Sequence, residues 1–142
     1  MSKLPTDTTR VYELGDVNAF GILANTLIYE GAAVGDNGTG YVRPLTGGDA
    51  FRGFADRHGD NTGGGDGDET IRVRKHGAIV LPIDGMTLTD VGKAVYALDD
   101  NTFTFAPHKG PFIGRVSRFD QSGKAIVDFN ASLSIVPTMK PQ

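Results

Sequence analysis

The chain has 142 residues, a formal net charge of −3, 20 glycines, and neither cysteine nor tryptophan. A chain of this length suits one domain around one core. The missing cysteines exclude disulfides, thiolate metal sites and cysteine nucleophiles, and the slight acidic balance offers no basic field for bulk nucleic-acid binding.

The opening segment MSKLPTDTTR is polar and lacks the apolar run of a signal peptide, and no segment approaches 18 consecutive apolar residues. A soluble protein is therefore expected. Residues 1–14 are read as a flexible N-terminal arm, 15–136 as one β-rich domain and 137–142 as a C-terminal tail. From Val11 onward small and β-branched residues mix with glycines, a mixture that suits strands and turns better than helix.

Turn and strand signals then alternate along the chain. Asp36-Asn37-Gly38-Thr39-Gly40 lies between AAVG and YVRPL, and Asn-Gly takes the positive φ values that a tight hairpin needs. Phe51–Asp56 reads as a strand entering a glycine- and aspartate-rich loop. Thr70–Arg74 alternates cleanly, with Ile71 and Val73 on one face. Ala78–Ile83 is nearly all apolar and is expected to be buried on both faces. A single helical turn is predicted near Thr87–Gly92, capped by Thr87 or Thr89 and stopped by Gly92. Further strands are predicted at 94–98, 102–105, 112–119, 125–129 and 133–136. Strands at roughly ten-residue spacing with turn signals between them argue an all-β barrel or sandwich.

No constellation for chemistry stands out. His58, His76 and His108 are far apart in sequence, and no pair has a metal-ligand spacing. No Gly-x-Ser-x-Gly elbow occurs. The aspartates fall mostly in turns, where they form the turn and keep it soluble. Gly64–Glu69 partly echoes a calcium-binding repeat, but no second copy follows, so a flexible connector is expected there. Arg72, Arg74 and Lys75 make the one basic cluster. Residues 36–70 carry seven acids against three bases, which compete with any phosphate for those cations. No enzyme activity, cofactor, metal or nucleic-acid partner is expected.

The order LIYEGAAVG, FRGFADRH, a glycine-rich loop, ETIRVRKHGAIVLPI, TLTDVGKAVYALDDNTFTF and FIGRVSRFDQSGKAIVDF resembles the capsid cement, or head decoration, proteins of tailed bacteriophages. Asp90–Ala97 followed by Asp99-Asp100 is the most telling stretch, and the likeness runs over about residues 17–130. The resemblance implies a small β-tulip domain, a homotrimer bound to the major capsid protein on the outer surface of the virion, and synthesis in the host cytoplasm. It implies no catalytic residue and no membrane. An unordered arm suits such a role because it can add a strand to an exposed coat edge. Thr9, Arg10, Val11, Tyr12, Glu13 and Leu14, where the polar start meets the strand-like VYEL, are the expected coat-contacting residues. The rival reading is a β-barrel binding module for a small ligand or glycan. It needs exposed aromatic platforms, and most of the eight phenylalanines occupy alternating strand positions that suit a core.

Overall fold

The segment Thr70–Arg74 shows in miniature how this sequence becomes strands. Ile71 and Val73 are buried while Thr70, Arg72 and Arg74 face water, so the period-two pattern places each side chain by type. The computed structural model describes residues 6–7, 9–10, 15–121 and 123–134.

In chain order the strands are β1 (Val17–Gly21), β2 (Leu27–Ile28), β3 (Ala33–Asp36), β4 (Val42–Pro44), β5 (Ala50–Ala55) and β6 (Gly59–Asp60). They continue as β7 (Thr70–Arg74), β8 (His76–Pro82), β9 (Ala94–Ala97), β10 (Phe103–Thr104), β11 (Phe112–Gln121) and β12 (Lys124–Asn130). The fold is all-β. One five-stranded antiparallel sheet runs β1-β7-β5-β3-β4, a second runs β10-β9-β11-β12-β8, and β2 with β6 forms a small ribbon. The chain crosses from the first sheet to the second at Lys75, between β7 and β8.

The sheets do not close into a barrel. Each sheet approaches closure through one parallel bridge near its edges, Ile22 to Val42 in the first and Ile83 to Phe103 in the second. The expectation of at most one helical turn also needs correction. The predicted turn forms at Leu88–Asp90, where the Asp90 carboxylate accepts from the Thr87 backbone N–H at 2.9 Å. A second forms at Ala131–Leu133, capped by Asn130, whose side chain accepts from the Ser132 N–H. It takes up Leu133 of the strand predicted at 133–136, Ser134 follows as its cap, and 135–136 lie outside the described residues.

Two apolar clusters hold the layers together. Phe51 and Phe54 from the first sheet, with Leu45 just after β4, pack with Leu81, Val95, Ile113, Val127 and Phe129 from the second. The rings of Phe54 and Phe129 meet edge to face with centroids 4.9 Å apart, a geometry that places positive ring edge against negative ring face. The other face of the first sheet carries Val34, Val42, Ile71 and Val73 under Ile22 and Ile28. This explains β3, which is buried along all four of its residues because one face meets each cluster.

The run 78–83, expected to be buried on both faces, is instead mostly the exposed edge of the second sheet. Only Leu81 within β8 is fully buried, and Val80 is 51% exposed. A run of apolar residues reports affinity for a core, and the order of strands decides whether both faces obtain one.

Candidate interaction surface

β8 supplies the most unusual surface. It pairs with β12 from His76↔Asn130 to Pro82↔Lys124, and among the described residues it pairs with no other strand. Its sequence, HGAIVLP, contains no Lys, Arg, Asp or Glu. Natural edge strands are usually blunted by charge, bulges or extreme shortness, because a row of unpaired N–H and C=O groups templates another strand. β8 is seven residues long, and among the described residues only the closing Pro82 guards it. Beside it opens a recess of about 250 Å³ bounded by Phe54, Ala78, Ile79 and Phe129, with Glu30 and Asp56 at its polar side. Tyr29, next to Glu30, is 63% exposed and its ring lies 5.8 Å from that of His58.

A larger open hollow of about 630 Å³ lies at one end of the second sheet, over the start of β8 and β11 and the end of β12. His76, Phe112, Arg115, Asp128 and Leu133 line it. The Arg115 guanidinium stands 5.7 Å from the Phe112 ring centroid, and Tyr96 meets the same ring edge to face. Leu133 is 63% exposed at its rim. Gly114 on β11 and Gly77 on β8 are the cross-strand neighbours of Phe129, so the sheet carries no side chain beside that ring on either side. An aromatic face, an exposed leucine, one cation and one anion suit contact with a polypeptide surface.

Three carboxylates elsewhere are occupied with structure. Burial pushes the Asp36 carboxyl up, but N–H donors from Gly38 and Gly40 and the Arg52 guanidinium outweigh it and hold the group below the usual carboxylate range. The Lys93 ammonium, then the Thr87 N–H, lowers Asp90 in the same way, and the Thr62 hydroxyl and N–H lower Asp60. All three carboxylates serve turns or strand ends. Among the described residues no group of three or more His, Asp or Glu side chains could hold a metal ion, and no helix is long and apolar enough to cross a membrane.

The 59–69 loop differs from the expected flexible connector. Asn61 is 2% exposed, and its amide nitrogen donates to the carbonyls of Ile22, Leu23 and Gly65. Asp66 accepts from the Ala24 N–H at 2.8 Å, Asp68 from the Gly65 N–H at 2.8 Å, and Asn25 from the Gly63 N–H at 2.9 Å. Polar side chains thus do in this loop what a strand ladder does elsewhere, and the loop caps the second apolar cluster.

Of the residues expected to touch a coat, Thr9 and Arg10 are exposed, and Val11, Tyr12, Glu13 and Leu14 lie outside the described residues. Neither described residue lines the hollow or the recess beside β8. Sequence reasoning missed the β8 edge, because its pattern allows either position. A strand-length apolar run with no charge and a terminal proline fits an edge as well as a centre.

Comparison with protein-family models, curated proteins and solved structures finds no match. Function is therefore read from the chain's own surface and sequence pattern.

Proposed function

We propose that this chain is a structural virion protein that binds the outside of an assembled bacteriophage capsid as a homotrimer and clamps neighbouring major coat subunits. The long, uncharged edge at β8, unpaired among the described residues, carries the reading, because it favours main-chain pairing with another polypeptide over binding of a small molecule. The sequence resemblance to phage cement proteins supports it, and so does the hollow with its exposed Leu133. A clamp that recognises only adjacent coat subunits stabilises the assembled shell by mass action. Individually weak contacts suffice when one oligomer engages several subunits at once. The protein is made in the host cytoplasm and acts on the capsid exterior.

Co-sedimentation with purified heads and with unassembled coat protein tests this. Binding to heads alone, with a raised temperature of head disruption, is the expected result. Equal binding to unassembled coat, or none to either, refutes the proposal. Removing residues 1–14 should leave a folded oligomer that no longer binds heads, and normal binding by the truncated protein would refute the role given to the arm. The open hollow with its Phe112–Arg115 pair favours one other reading, a module for a small ligand or glycan. A glycan and metabolite screen without a hit disposes of it.

A further inference from the structure

We infer that the hollow at the end of the second sheet receives the Tyr29–Ala32 turn of a second copy of this chain. Tyr29 enters against Phe112 and Leu133, Glu30 meets Arg115, and Arg57 meets Asp128. The inference rests on the homo-oligomeric part of the reading above and not on its capsid part.

The hollow holds two opposite charges that face each other without pairing. Arg115 and Asp128 are direct cross-strand partners in the β11–β12 register, a placement in which opposite charges ordinarily attract. No ion pair joins them, and among the described residues neither has one elsewhere. The Arg115 guanidinium is instead drawn to the Phe112 ring, and its Nη1 donates to the Gly92 carbonyl at 3.4 Å. Tyr96 braces the same ring edge to face, with centroids 5.9 Å apart. Each charge is thus offered singly at the wall of the hollow, beside an aromatic face and the exposed Leu133. A matching occupant brings an acid, a base and a large apolar group together.

This chain carries such a group on its first half. Among the described residues Tyr29 is the one exposed phenylalanine or tyrosine. It leads a turn closed by the Ala32 N–H, which donates to the Tyr29 carbonyl at 3.2 Å, and Gly31 takes φ +89° as the third residue of a type II turn requires. The Gly31 N–H donates to the Ala55 carbonyl at 2.9 Å, so the turn is tied to β5. A knob held this firmly loses little freedom on binding. Glu30 follows Tyr29, and Arg57 precedes His58, whose ring lies beside that of Tyr29. Glu30 and Arg57 are exposed, and among the described residues neither makes an ion pair.

Turn and hollow therefore each present one aromatic, one acid and one base, with their charges unspent. Complementary charges of this kind steer two copies together and fix their register. The two surfaces use different residues, so the contact runs head to tail: each copy offers its turn to one neighbour and its hollow to another. A contact of this type closes into a ring when its rotation permits, and the homotrimer is the closed form.

Light scattering coupled to size exclusion of the full chain tests this. Glu30→Arg and Arg115→Glu should each raise the concentration needed for assembly about tenfold, and the double variant, which restores opposite charges across the contact, should recover most of that loss. Tyr29→Ala should weaken assembly by about tenfold or more. Unchanged urea midpoints show that these variants keep their fold. Arg115→Glu sets a like charge opposite Asp128, so a second measurement leaves that pair intact. The chain has no cysteine, and Tyr29→Cys mixed with Leu133→Cys under mild oxidation should give a disulfide-linked dimer. Its yield should exceed that from Tyr29→Cys mixed with Leu88→Cys about tenfold. Assembly indifferent to the single variants, a double variant no better than either, or equal cross-linking to positions 133 and 88 would overturn the inference and leave an oligomeric capsid protein standing. A chain monomeric at every concentration would overturn it together with the homotrimer. Assembly through this contact without affinity for heads would remove the capsid reading alone.

Discussion

Arg43 grips Asp49 through both carboxylate oxygens, with Nη2 2.7 Å from Oδ1 and Nε 3.0 Å from Oδ2. Asp49 is 2% exposed, and its Oδ2 also accepts from the Thr46 N–H at 3.1 Å. The pair fixes the turn between β4 and β5, and the fork geometry is one that only arginine offers.

Removing Arg43 strands a buried carboxylate. Arg43→Ala should destabilise the fold by about 2–3 kcal/mol, less than the loss of a fully buried pair because the guanidinium is itself partly exposed. Arg43→Lys should recover little of that loss, since a point charge cannot bond both oxygens. Urea denaturation of Arg43→Ala, Asp49→Ala and the double variant measures the coupling, and additive effects would show that the fork contributes nothing of its own.

Asp36 gives the fold a pH dependence of defined sign. Its carboxyl is held below the ordinary range, so the folded chain binds this proton less readily than the unfolded chain does. Its stabilisation is fully present above the unfolded value of about 3.9 and is lost as pH falls through the lower folded value. Asp60 and Asp90 are displaced in the same direction and add to the trend. The urea midpoint should therefore fall on acidification from pH 5 to pH 3, and Asp36→Asn should make that fall shallower. An Asp36→Asn profile parallel to the parent's would remove Asp36 from the account.

Asn61 is expected to hold the 59–69 loop. Asn61→Ala leaves three carbonyls without their donor and should cost about 2 kcal/mol. Hydrogen exchange should quicken at Asn61, Gly64 and Ala24, whose N–H groups are bonded within or to this loop, while β9–β12 stay protected. Uniform quickening across both sheets would show that the loop unfolds only with the whole.

Gly114 is fixed by the approach of a neighbouring strand. A methyl group there would run into the Asp128 carbonyl oxygen and the Phe129 backbone. Gly114→Ala should destabilise by about 1–3 kcal/mol, as overpacking does, and disturb the β11–β12 register beside the hollow. Gly123→Ala would meet no atom within 4 Å and would suffer from its φ of +78° alone, so it separates the two effects. Comparable thermal melts for Gly114→Ala and the parent would contradict the crowding.

The parts of this fold legible in sequence were those governed by near neighbours. Thr70–Arg74 declares its two faces by alternation, Asp36–Gly40 declares its hairpin by turn chemistry, and the Thr87–Asp90 turn is capped within four residues. What escaped depended on distant partners. Nothing local distinguishes Ala33–Asp36, buried on both faces, from Ala78–Ile83, which lies at an edge, because the order of strands decides between them. The role of Asn61 in the glycine-rich stretch escaped, since two of its three carbonyl acceptors lie 38 and 39 positions upstream. The hollow escaped as well, because Phe112, Asp128 and Leu133 come from three different elements.

The crossing at Lys75 divides the molecule in an unusual way. All strands of the first sheet precede it and all strands of the second follow it, so sequence halves and structural layers coincide. Each half holds only part of the main core: Phe51 and Phe54 lie before the crossing, Val127 and Phe129 after it. A chain severed at this one position would yield two peptides, each with the pairing for its own sheet and neither with a finished interior. Their mutual need is the condition for fragment complementation, and it makes this short link a natural place to split the molecule into two halves that report on each other's presence.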